Sequence, residues 1–201
     1  MRMVTVAILL FLYYILSMIT LLLVRHGETD YNKQGRYLGR IDISLSSTGI
    51  HQAKKLAMKI KDLPIDVVIS SPLKRTIQTS RTIVPAKEII TDDHFIERSI
   101  GIYEGLTKQE AINKYPALYS RNITRIFNEA PPQGETVKQV QERVFEGIDA
   151  FKQKYYGKNV LLVSHAFIAK VINKYFYPDI SDEDFFNFVL PLASIAKYKI
   201  G

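Results

Sequence analysis

Two histidines stand out by what precedes them. Leu21-Leu22-Leu23-Val24 runs straight into Arg25-His26-Gly27, and Val160-Leu161-Leu162-Val163 runs into Ser164-His165-Ala166. A short apolar run that stops at a polar turn reads as a buried strand of a parallel sheet ending in a loop. Open α/β sheets place their ligands at the carboxyl ends of such strands. Two strands that both end in histidine can bring the two imidazoles to one edge of the sheet, one to attack a substrate and the other to bind it. A phosphate ester suits this pair, because imidazole is a competent nucleophile near neutral pH and the arginine guanidinium forks onto phosphate.

The remaining chain must supply the elements that hold these ends in place. Residues 66–70 read as another strand, and Ser71-Pro72 then opens a helix with proline in its first turn. The free N–H groups of that helix would face an anion, with Arg75 one turn in. Ser47 or Thr48 is placed to cap a helix running to about Leu63, whose apolar residues Ile50, Ala53, Leu56, Ala57 and Ile60 follow the 3.6 period. His51 falls off that stripe and reads as a solvated helix residue, and His94 reads as a loop residue. Residues 88–91 form a short strand, and residues 107–128 read as two helices broken at Tyr115-Pro116. Thr136 caps a helix to about Tyr156, residues 167–175 are helical, and a last strand lies near 194–200.

Composition narrows the function classes. At 201 residues and 47% apolar content, residues 19–201 suit one globular domain. The absence of cysteine excludes a disulfide framework, thiol catalysis and a zinc–thiolate site. The four histidines show no H-x-x-x-H spacing, so a metal site is not expected; no other cofactor is expected. A net charge of +7 with no run of five or more basic residues and no interleaved aromatics argues against nucleic acid and for a small anionic substrate. Oligomeric state is not legible.

Residues 1–18 are apolar and continue into the first strand. They read as an N-terminal anchor, as an uncleaved signal, or as an extension ahead of a start at Met18. Once residues 21–24 are assigned to the sheet, about 16 residues remain, roughly 24 Å of helix against a hydrocarbon core of about 30 Å. The expectation is therefore a short membrane-associating helix or a spurious extension. The domain is expected in the cytoplasm, either free or on the cytoplasmic side of a membrane.

Arg25-His26-Gly27-Glu28-Thr29 followed by Asn32 resembles the R-H-G-x-[ST] motif of the histidine phosphatase superfamily, the phosphoglycerate mutase-like proteins. The resemblance extends from about Thr20 to the C-terminus. Gly35, Arg36, Gly39, Asp42, Leu45, Ser46 and Gly49 match the next motif, with Ser44 where the family usually has proline. Ser70-Ser71-Pro72-Leu73-Lys74-Arg75-Thr76 and Thr79 are similar to S-S-x-L-x-R-[AT]-x-x-T. Glu97, Gly101, Glu104 and Gly105 follow the family spacing, as do Gly134-Glu135-Thr136 and Arg143. Ala166 stands where the family most often has glycine.

The resemblance implies a three-layer α/β sandwich, its central sheet mostly parallel with helices on both faces. It also implies His26 as nucleophile and Arg25, Arg75 and His165 around the phosphoryl group. Asn32, Gly39 and Ala166 complete the binding site, and Glu97 serves as general acid. Residues 107–132 would roof the site and select the substrate. The expected activity is hydrolysis of a phosphorylated metabolite through a phosphohistidine. The Glu104-Gly105 ending is similar to the phosphatase branch, whereas Glu97-Arg98 looks like the mutase branch, so a phosphoglycerate mutase stays as the alternative. An alternative of another class is a membrane-tethered module that binds phosphorylated partners without turning them over.

Overall fold

The computed structural model describes residues 18–201. The segment read as a short membrane-associating helix or a spurious extension, residues 1–18, lies outside the described residues except for Met18. Strands β1 (Ile19–Arg25), β2 (Val67–Ser70), β3 (Ile90–Thr91), β4 (Asn159–Ser164) and β5 (Ile195–Ile200) form one sheet in the order β3-β2-β4-β1-β5. The first four are mutually parallel, and β5 is antiparallel to β1 at the edge.

The apolar runs are unbroken because helices cover both faces. Leu21 and Leu23 of β1 and Val160 and Leu162 of β4 point into one core with α6 (Val137–Lys154) and α7 (Ala166–Phe176). Leu22, Val24, Leu161 and Val163 point the other way, against α2 (Ser47–Ile60) and α3 (Lys74–Ile83). This is the expected three-layer α/β sandwich. The shorter helices are α1 (Asp30–Lys33), α4 (Lys108–Lys114), α5 (Pro116–Ser120) and α8 (Asp182–Asn187). The segment from α4 onward breaks before Pro116 as expected. It builds a small core of its own, in which Tyr115 and Tyr119 pack on the buried Tyr103.

Two local expectations are corrected. The cap of α2 is Ser46, whose Oγ accepts from the Gly49 N–H at 3.1 Å, rather than Ser47 or Thr48. Three consecutive hydroxyl residues offer equal caps in sequence. Ser46 prevails because its N–H and Oγ–H both donate to Glu28, on the loop after β1. The second correction is the start of α3, at Lys74 rather than Pro72. Its first N–H does not await an anion, because it donates to Asp42 Oδ1 at 2.7 Å.

Candidate active site

The parallel register of β1 and β4 sets Arg25 opposite Ser164, so His26 and His165 leave the sheet side by side. Their rings meet edge to face with centroids 5.2 Å apart, and both are buried. The two halves of the sequence pattern therefore converge on one sheet edge, at the carboxyl ends of adjacent strands.

His26 has its tautomer fixed by the backbone. Its Nδ1 lies 2.7 Å from the Gly27 carbonyl, which can only accept. Nδ1 thus carries the proton and Nε2 keeps its lone pair. Burial, then the Arg75 and Arg25 charges, push the imidazole down to about 3, against the weaker upward pull of the Gly27 carbonyl. The loop that holds the ring is pinned from α3, since the Gly27 N–H donates to Thr79 Oγ1. Gly27 also touches Gly49, where an added Cβ would sit 2.5 Å from the Gly49 carbonyl oxygen. A side chain there would separate the loop from α2.

Arg75 is fully buried and clamped by backbone. Nη1 donates to the Ile41 carbonyl at 2.7 Å and Nη2 to the Gly39 carbonyl at 2.9 Å. Gly39 adopts φ +50°, and a Cβ there would lie 2.1 Å from the Glu104 carboxylate. The clamp therefore requires glycine on two counts. Arg25 reaches across from β1 and donates to the Leu190 carbonyl at 2.9 Å.

Glu97 closes the arrangement. Its Oε1 accepts from the Arg98 N–H at 2.8 Å and its Oε2 from the Phe167 N–H at 3.4 Å. Burial raises its pKa, opposed by those N–H donors and by Arg75 and Arg25. Its own carbonyl is held by Arg40 and Arg143, and Arg143 forks onto Glu135 at 3.1 Å through both Nε and Nη2. Arg25, His26, Asn32, Gly39, Arg75, Glu97 and Ala166 all line one cavity of about 400 Å³.

A family model, the histidine phosphatase superfamily (branch 1), matches residues 21–201. The chain belongs to that superfamily. It is 37% identical over 150 residues to phosphoserine phosphatase 1 of Hydrogenobacter thermophilus, covering 74% of this chain and 71% of that protein. It is 32% identical over 154 residues to a 2,3-bisphosphoglycerate-dependent phosphoglycerate mutase of Cytophaga hutchinsonii, covering 72% and 71%. Among solved structures, the phosphoserine phosphatase of Entamoeba histolytica in complex with 3-phosphoglyceric acid superposes with a TM-score of 0.78 at 26% identity, covering 89% of each chain.

Within this histidine phosphatase fold, His165 stands apart from the other expected site residues. It does not line the cavity. Its Nδ1 accepts from Arg75 Nε at 3.3 Å, and Nε2 donates to Ser71 Oγ at 2.7 Å. In this state His165 backs His26 and Arg75 from below. Asn32 spends its Oδ1 on the cap of α1, accepting from the Thr29 N–H and hydroxyl, which leaves its amide nitrogen for an anion.

Lys170 of α7 and Phe186 of α8 also line the cavity, as does Arg125 after α5. The sequence reading had only Arg125, within the roof. Lys170 and Phe186 sit in no motif. The signal available for Lys170 was its place four residues after Ala166, on the same helix face.

Proposed function

We propose that the chain hydrolyses a small phosphomonoester through a phosphohistidine on His26. The observation that carries this reading is His26 with Nδ1 tied to the Gly27 carbonyl, so that Nε2 is free, in a cavity that Arg25, Arg75 and Glu97 also line. Arg25 and Arg75 neutralise the phosphoryl oxygens, where charge must be held in the transition state. The Asn32 amide adds a donor. His165 positions Arg75 through its Nδ1 and packs edge to face on the nucleophile.

In the first step the Nε2 lone pair forms the N–P bond as the P–O bond to the substrate alcohol breaks. Glu97 gives its proton to the departing oxygen. In the second step the Glu97 carboxylate takes a proton from water, the water oxygen bonds to phosphorus, and the N–P bond returns its electrons to Nε2. Glu97 ends protonated and inorganic phosphate leaves. The bound phosphate's negative charge reinforces the raised pKa that the first step needs.

Denaturing quench of the enzyme during turnover of a labelled ester should trap acid-labile phosphate on His26, absent in His26→Ala. Glu97→Gln should slow an alkyl phosphate by about 100-fold or more, the range of general acid catalysis. It should slow p-nitrophenyl phosphate far less, because that leaving group needs no proton. Equal loss on both would remove Glu97 from the acid role.

The relatives named as phosphoserine phosphatases favour phosphoryl transfer to water, and the relative named as a mutase keeps the second reading open. Release of phosphate from 3-phosphoglycerate without 2-phosphoglycerate decides for hydrolysis. Appearance of 2-phosphoglycerate decides for the mutase.

A further inference from the structure

The cavity carries more positive charge than one phosphoryl group takes up. Arg25 and Arg75 flank His26. Farther along the wall stand Lys170 and Arg125, and their hydrogen-bond partners are neutral. Lys170 Nζ donates to the carbonyls of Phe186, at 2.8 Å, and of Phe188. Two of its three N–H donors are thus engaged and the third is left. Arg125 Nη2 donates to Asn187 Oδ1 at 3.1 Å, and its guanidinium lies over the Phe186 ring, 5.1 Å from the centroid. Both cations are therefore moored to one short stretch, residues 186–188. Among the described residues, Glu97 is the single carboxylate on the cavity wall.

Spacing places Lys170 one helical turn from the phosphoryl end. Ala166 lies in the first turn of α7 at the phosphoryl end, and Lys170 lies four residues later on the same face. Their Cβ atoms are about 5–6 Å apart, a span that a short carbon chain bridges. Phe167 and Phe186 flank it with apolar surface. A planar monoanion can accept from an ammonium with one oxygen and from a guanidinium with the other. A neutral hydroxyl in its place accepts weaker hydrogen bonds from the two cations.

We propose that Lys170 and Arg125 form a subsite for a carboxylate on the substrate, which selects short phosphorylated hydroxy or amino acids over phosphorylated polyols and nucleosides. This assignment rests on the hydrolase reading and names the substrate class of the same site.

The test compares 3-phosphoglycerate with glycerol 1-phosphate, in which a hydroxymethyl group replaces the carboxylate, and uses p-nitrophenyl phosphate to report the chemistry at His26. The native enzyme should favour 3-phosphoglycerate by about tenfold or more in kcat/KM, the factor that one charge-assisted hydrogen bond supplies. Lys170→Met and Arg125→Gln should each lower that ratio by about tenfold, and Lys170→Arg should restore most of it. Arg125 is exposed, so its variant reads the subsite even where Lys170→Met fails to fold. A native ratio near one, or variants that lower both esters in proportion, would overturn the subsite while leaving hydrolysis in place. Absence of turnover on every ester, p-nitrophenyl phosphate included, would overturn the reaction and the subsite together.

Discussion

His26 shows how far a backbone contact reaches into reactivity. One carbonyl decides which nitrogen holds the proton, and burial beside two arginines keeps the other nitrogen bare. The folded-state value of about 3 lies below the 6.5 of a free imidazole. Between those values the unfolded chain takes up a proton that the folded chain refuses. Acidification through 6.5 thus costs stability and leaves the nucleophile neutral. Ring-nitrogen NMR should find His26 Nε2 still unprotonated well below 6.5. A midpoint near 6.5 would mean that the pocket does not hold the ring as described. At this scale the motif residues were legible, because each is a chemical group at a fixed offset. His165 was legible as a member of the site, whereas its engagement by Arg75 and Ser71 was not. Lys170 was missed because a lone lysine on a helix is ordinarily solvated; only the fold turns it inward.

At the scale of elements, the site is a set of termini held by side chains from elsewhere. Thr79 of α3 holds Gly27, Asp42 caps α3, and Ser71 after β2 holds the His165 ring. Ser71→Ala would leave the His165 Nε2 proton buried without a partner, at a cost of about 1–3 kcal/mol. The loosened ring would also release Arg75 Nε. Urea denaturation should show the loss of stability, and kcat should fall with it. Unchanged kcat at reduced stability would confine Ser71 to folding. Strand identities were readable from the apolar runs, since a strand covered on both faces needs no alternation. Cap positions were less readable, because Ser46, Ser47 and Thr48 are chemically equivalent until Glu28 chooses among them. Asp42 could not be foreseen as the cap of α3, since it lies 32 residues before the N–H it accepts from.

For the molecule as a whole, charge and shape point the same way. The full chain carries a net +7, and Arg25, Arg36, Arg75, Arg98, Arg125 and Lys170 all line the cavity. Such a field raises the encounter rate of a dianion and is screened by salt. kcat/KM for a phosphomonoester should therefore fall several-fold from about 0.01 M to about 0.15 M ionic strength, while kcat stays level. A flat profile would mean that encounter is not steered. The overall architecture was legible from the order of strands and helices. The far end of the cavity was not, because it is assembled from three distant segments that carry no shared spacing.

The carbonyls of Phe186, Phe188 and Leu190 bind two separate cations of the cavity. The first two hold Lys170 and the third holds Arg25. A strip five residues long thus tethers the reacting end and the distal end at once. Mutations that retune ligand choice along it will be pleiotropic, altering catalytic rate as a by-product. Divergence to new metabolites should then proceed through side chains at positions 125 and 170, with the strip's main chain left alone.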